Sequence, residues 1–159
     1  MSMPSDAPIH FAGAVLDQSR HVCAFFESPE AEYRVTFPFV KEGLDRGEKA
    51  FHIVNPAERG AYVARLADAG IDVESAAARG QFEVRAWEEA YLRDGHFDQN
   101  AMLALIEEVL TGGKAQGFPL TRLVAHMEWA LEDRPGVDDL VEYETRLNYI
   151  LPKYRDPVV

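Results

Sequence analysis

The chain has 159 residues, 47% of them hydrophobic and 27% charged, with 16 basic against 27 acidic side chains and a net charge of −11. Such a composition excludes a disordered tail, and the length suits one domain that buries roughly 70% of its unfolded-chain surface. The acidic balance argues against electrostatic nucleic-acid binding, no apolar run approaches the ~20 residues of a membrane helix, and the lone Cys23 permits neither an internal disulfide nor a cysteine-based zinc cluster.

Residues 1–20 read as an irregular leader, with Pro4, Pro8 and Gly13 and no sustained period. No positive charge precedes its short apolar stretch, so it is a poor signal peptide, and a soluble, cytoplasmic protein is expected. "HVCAFF" (21–26) has the near-continuous apolar run of a strand covered on both faces. The turn "ESPE" offers Ser28 as a helix N-cap and Pro29 at the first helical position. Tyr33, Phe37, Val40 and Leu44 then form one apolar stripe, Pro38 should kink or split the helix, and Gly47 should stop it.

The pattern repeats. "AFHIV" (50–54) is a second buried strand, after which Asn55 is a cap, Pro56 opens a helix lined by Tyr62, Leu66 and Ala69, and Gly70 ends it. "IDVESAAARG" adds a helical turn before a third strand, "QFEVRAW" (81–87), and a short helix and loop in "EEAYLRDGHFD". Asp98 caps a helix with Met102, Leu105, Ile106 and Val109 on its apolar face and Gly112-Gly113 at its end. "TRLVAHMEWA" (121–130) is a fourth strand, "RPGVDDLVEYETRLNYILPKY" a last helix, and "DPVV" the start of a fifth strand. Strands alternating with helices predict one α/β domain over 21–159, three-layered, with a mainly parallel sheet of about five strands.

Ligands of open parallel sheets bind outside the carboxyl ends of the strands. Those ends carry Phe26 and Glu27, then Asn55, then Trp87, Glu88 and Tyr91, and finally Glu128 and Trp129. Both tryptophans neighbour a glutamate there. Aromatic walls with a few carboxylates suit a small organic molecule with a modest polar or cationic part. They do not suit a triphosphate, and no G-x-x-x-x-G-K-[ST] loop (Walker A) is present. Against this stands the blander view that each aromatic packs the top of the core and each glutamate faces water or caps a helix.

Glu88 and Glu128 could also serve as an acid/base pair. A metal site built from His21, Cys23 and either His52 or His126 is conceivable, since His21 and Cys23 share a strand face. Isolated histidines on separate strands are more often core or edge groups, so no metal and no other cofactor is expected. Cys23 sits mid-strand rather than at an exposed turn, which disfavours nucleophilic catalysis.

The segments "RHVCAFFESPEAEYRVTFPFVKEGLDRGEKAFHIVNP", "GIDVESAAARGQFEVRAWEEAYLRDGHFD", "LVAHMEWAL" and "VEYETRLNYIL" resemble the MEDS domain, the methanogen/methylotroph, DcmR sensory domain. The resemblance runs over about residues 15 to 159 and leans on "H-[VI]-C-x-F-[FY]" and the "M-E-W" strand end. It implies a sensory module with a RecA/KaiC-like fold that lacks the phosphate loop and binds small hydrocarbon derivatives. It also implies regulatory partners of DNA-binding, kinase or anti-sigma type. The family pattern falls on His21, Cys23, Phe25 and Phe26, on Trp87, Glu88 and Tyr91, and on Glu128 and Trp129. Family chains usually continue past "DPVV" into a further strand, so the fifth strand is expected to be short, partner-completed or truncated.

The function expected is therefore a non-enzymatic sensory domain for a small, largely apolar organic ligand, signalling to a separate regulatory protein. Direct nucleic-acid and membrane contacts are not expected, and homo-oligomerisation is left open. The alternatives are a protein–protein interaction module, a small carboxylate-dependent enzyme and a degenerate nucleotide-binding protein.

Overall fold

The computed structural model describes residues 7–159. They run in the order β1 (Ile9–Phe11), β2 (Ala14–Leu16), α1 (Pro29–Asp45), β3 (Lys49–Val54), α2 (Arg59–Asp68), α3 (Val73–Ala78), β4 (Phe82–Ala86), α4 (Gln99–Ala115), β5 (Thr121–Ala125) and α5 (Leu140–Ile150). The first six residues of the expected leader lie outside the described residues. The rest of it holds a hairpin, β1 antiparallel to β2, turned by Ala12 and Gly13 at φ 51° and 79°. Positive φ at both turn residues is what a tight two-residue hairpin requires.

β3 is the middle of a parallel sheet in the order β4-β3-β5, with Val54 opposite Ala86 and Ile53 opposite Ala125. The sheet thus has three strands rather than about five. The two missing strands survive as single parallel bridges, His21 to Val158 and Val158 to Leu123. Val22 N donates to Val158 O at 2.9 Å, and Val158 N to Arg20 O at 2.9 Å. Beyond Val22 the expected first strand has no ladder partner, and it runs on alone to the turn before α1. Its apolar run is consequently not buried: Phe25 is 95% exposed.

Side-chain alternation along the strands separates two cores. Ala50, Val54 and Val124 face α1, α2, α3 and β1, packing with Phe37, Val40, Tyr62, Leu66 and Ile9. Phe51, Ile53 and Leu123 face α4 and α5, packing with Met102, Ile106, Leu110, Tyr143 and Leu147. The three-layer α/β arrangement follows directly.

Local signals account for the helix limits with few exceptions. Ser28 caps α1, accepting from Ala31 N at 3.2 Å, and Pro29 opens the helix. Pro38 does not split it; its ring lies on the exposed side of one continuous helix. α2 starts later than expected because Asn55 makes a turn of its own, its side chain accepting from Ala57 N at 3.0 Å and its carbonyl from Glu58 N at 3.0 Å. Gly112 and Gly113 lie inside α4 rather than after it, and the positive-φ stop is Gly117. β5 ends at Ala125, five residues before the expected end, where the chain turns into a 3₁₀ segment, Glu128–Leu131.

A buried charge cluster sits at the amino ends of the strands. Arg122 of β5 is fully enclosed, pairing with Glu48 and with Glu42 Oε1 at 3.0 Å and donating to Phe39 O at 2.7 Å. Gly43 leaves the room for it, since a Cβ there would collide with the Arg122 side chain.

Candidate functional site

At the opposite, carboxyl end of the sheet, His126 is the first residue past β5. Its backbone N–H donates to Ile53 O at 2.8 Å, which fixes it beside the end of β3. The side chain, 9% exposed, has Nε2 2.6 Å from Glu32 Oε1 and Nδ1 3.9 Å from Glu128 Oε1. Glu32 reaches this point from the first turn of α1. Glu128 comes from the 3₁₀ turn that follows β5 and is half exposed. Burial works to lower the His126 pKa, but the charges of Glu32, Glu128 and Glu58 outweigh it and hold the pKa above the usual histidine value.

Tyr62 of α2 joins this group to a second histidine. Its ring stands edge-on to His126 at 5.1 Å between centroids, and its hydroxyl lies 2.9 Å from Nδ1 of His52. His52 is wholly buried in the middle of β3, and its Nε2 has no hydrogen-bond partner among the described residues. Burial, reinforced by the nearby His126 charge, lowers the His52 pKa to about 3, so this ring is neutral at physiological pH. The two imidazoles therefore sit side by side across a tyrosine with their pKa values pushed in opposite directions. Chemically, Glu32, His126 and Glu128 set two carboxylates around one imidazole, a rim that would take a hydrogen-bond donor or a cationic group. Their ligand atoms lie within 4.8 Å of one another, close enough to hold a metal ion.

The structure distributes the expected site residues over several environments. Trp87 is buried and its indole donates to His126 O at 3.0 Å, bridging the ends of β4 and β5. Trp129 and Tyr91 are buried in an aromatic cluster with Phe97 and Tyr143, Trp129 standing 5.0 Å from Tyr91 and 5.2 Å from Phe97. Glu88 and Glu128 are both on the surface, as are Phe26 and Glu27. Asn55 is spent on its turn. Of these residues, Trp87 and Glu128 approach His126.

Glu32 and Tyr62 were missed from the sequence. Glu32 could have been found as an acid in the first turn of a helix that begins at the carboxyl side of the sheet. Tyr62 reads as one more residue of an apolar stripe. His52 and His126 share the α1/α2 face of the sheet, whereas His21 and Cys23 point to the α5 face, so no histidine from β3 or β5 joins that pair. A wide groove of about 430 Å³ between α1 and α2, lined by Tyr33, Phe37 and Arg65, contains none of the rim residues.

The family model for MEDS, the MEthanogen/methylotroph, DcmR Sensory domain, matches residues 20–157. The chain is also 26% identical over 158 residues to the "Transcriptional repressor DcmR" of Methylorubrum extorquens strain DM4, covering 99% of this chain. The chain spans 56% of that relative's length. No solved structure matches. No helix among the described residues is long and apolar enough to cross a membrane.

Proposed function

The chain belongs to the MEDS family of sensory domains, and from that premise we propose that it binds a small, largely apolar organic molecule at the carboxyl rim of its sheet. It acts without catalysis inside the cell and signals to a separate regulatory protein, in keeping with its similarity to a transcriptional repressor. The observation that carries this reading is His126, held between Glu32 and Glu128 at the end of β5. It provides a polar anchor within one 3₁₀ turn of a large aromatic cluster.

Trp87, Tyr91 and Trp129 would be the apolar walls, with Phe26 at the mouth and Glu88 and Glu128 orienting the ligand's polar part. In this conformation the three walls are packed on the core. A ligand reaches them by displacing the segments 88–97 and 130–137, which clasp each other through Phe97 N donating to Pro135 O at 2.9 Å. Closed and opened clasps are two states that a ligand would bind unequally, which is the condition for signalling.

Native mass spectrometry of freshly purified protein, beside the same sample denatured, tests the proposal. Melting curves with a panel of short-chain hydrocarbon derivatives complete it. A retained small-molecule mass, or a raised Tm that is lost in Glu128→Gln and His126→Asn, is expected. A clean apo mass with no panel member raising the Tm overturns it.

A second reading, as an interaction module, is favoured by one observation. Phe25, Leu131, Val141 and Tyr149 are large apolar side chains left mostly in solvent. Sedimentation at rising concentration checks this: self-association that Val141→Ser and Tyr149→Ser abolish supports the module, and a monomer throughout weighs against self-docking.

A further inference from the structure

On the other face of the sheet, three side chains of different chemistry converge from two elements. Backbone pairing with Val158 holds residues 20–22 extended. Alternation then sends Val22 and Ala24 toward the α1/α2 core and His21 and Cys23 toward α5. From α5, Glu144 and Asn148 come one turn apart and meet them. His21 Nε2 lies 3.0 Å from Glu144 Oε2, Cys23 Sγ lies 4.0 Å from the same oxygen, and His21 Nδ1 lies 2.9 Å from Asn148 Oδ1. The three ligand atoms of His21, Cys23 and Glu144 are all within 4.8 Å of one another.

We propose that His21, Cys23 and Glu144 form a site for a divalent transition metal of the zinc class, with Asn148 positioning His21 and one coordination position open. Four features carry the proposal. Tetrahedral donors about 2.0–2.3 Å from such an ion stand about 3.3–3.7 Å apart, so the two separations to Glu144, 3.0 and 4.0 Å, need shifts of only a few tenths of an ångström, and His21 and Cys23 lie within 4.8 Å of each other. The Asn148 side-chain oxygen accepts from Nδ1–H of His21, so Nε2, which faces the Glu144 carboxylate, is the nitrogen that gives up its proton to take an ion. Orientation of a ligand histidine by a carbonyl on its far nitrogen is the usual second layer of a metal site.

The donor set gives the third feature. One nitrogen, one sulfur and one carboxylate oxygen select zinc, cobalt or iron(II) over magnesium and calcium, which take oxygen ligands. Access is the fourth: Cys23 is exposed while the His21 ring is largely covered, so an ion could enter from solvent and keep its open position wet. Binding forms bonds from the metal to Nε2, Sγ and a carboxylate oxygen, and both the Cys23 thiol proton and the proton held between Nε2 and Glu144 leave to water. The bound ion would tie α5 to the segment that precedes α1, on the face opposite His126.

The test uses the chain stripped with a chelator, reduced, and titrated with cobalt(II) alone. One equivalent should produce a sulfur-to-cobalt charge-transfer band in the near ultraviolet and visible ligand-field bands of tetrahedral intensity. Zinc should bleach both. Cys23→Ser, an exposed and conservative change, should abolish the charge-transfer band. Asn148→Ala should keep the band but weaken affinity by about 10–100-fold. Lys41→Ala, an exposed position on α1, should leave the titration unchanged. A charge-transfer band absent at saturating cobalt, surviving in Cys23→Ser, or appearing only at two chains per cobalt, would overturn the proposal.

Discussion

Glu32, in the first turn of α1, sets its carboxylate 2.6 Å from Nε2 of His126, the first residue past β5. This ion pair makes the rim titratable in a stated direction. Burial alone would lower the His126 pKa, yet the neighbouring carboxylates raise it above the value in the unfolded chain. A base whose folded pKa is raised stabilises the fold fully below its unfolded pKa of about 6.5 and loses that contribution as pH rises through the folded pKa. Glu32→Gln should therefore drop the His126 pKa, followed by proton NMR of the ring. It should also cost more stability near roughly pH 6 than near roughly pH 9. An unmoved His126 titration in Glu32→Gln rejects the pairing.

His52 should behave in the opposite sense. Its folded pKa, about 3, lies below the unfolded value, so its contribution is present above about 6.5 and is lost progressively as pH falls toward the folded pKa. Its ring resonances should stay still from roughly pH 8 to pH 5, while those of His126 should titrate above the ordinary histidine value. The Tyr62 hydroxyl is its one hydrogen-bond partner among the described residues. Tyr62→Phe leaves both ring nitrogens unsatisfied in the core and should cost about 1–3 kcal/mol by urea unfolding. A neutral substitution would mean that water reaches the ring.

The three paired strands and all five helices were legible because caps and periods mark them locally. Ser28-Pro29 and Asp98 start helices, and Gly47 and Gly70 stand just past helix ends at positive φ. What was not legible depends on partners distant in sequence. The run 21–26 looks buried, but whether it is covered depends on a strand neighbour, and among the described residues Val158 alone bridges to it. Arg122 reads as an odd charge within "TRLVA", and its partners Glu48 and Glu42 stand 74 and 80 positions away. The two Trp/Glu neighbours each fall on a 3₁₀ turn, Trp87–Glu89 and Glu128–Leu131. Successive residues there project about 120° apart, so the tryptophan goes inward while the glutamate stays in water. A strand-end census gives that segment its place but not the direction of each side chain.

Trp129 shows what this direction costs to undo. It is 0% exposed and packed against Tyr91 and Phe97, and its indole N–H has no partner among the described residues. Trp129→Ala should destabilise the chain by about 3–5 kcal/mol in denaturant unfolding. Trp129→Phe should cost less than half as much, because it keeps much of the ring packing and removes an unsatisfied donor. An alanine penalty below ~1 kcal/mol would show that the cluster is loose and the indole already accessible.

The clasp over that cluster depends on Gly136. Its φ of +89° is strained for any residue with a Cβ, and a Cβ there would run into the carbonyl of Phe97. Gly95, on the facing segment, has a similar φ of +77° but open space around it. Alanine at Gly95 should therefore carry only the left-handed backbone penalty, about 1–2 kcal/mol. Gly136→Ala should cost that and more, because the Phe97 carbonyl must move and with it the Phe97-to-Pro135 hydrogen bond. Hydrogen exchange separates the two effects. The Phe97 amide should lose protection in Gly136→Ala and keep it in Gly95→Ala, while amides of β3 stay protected in both. Equal penalties and an equally protected Phe97 would mean that the clasp yields without opening, and displacement of these segments would then be no route to the aromatic cluster.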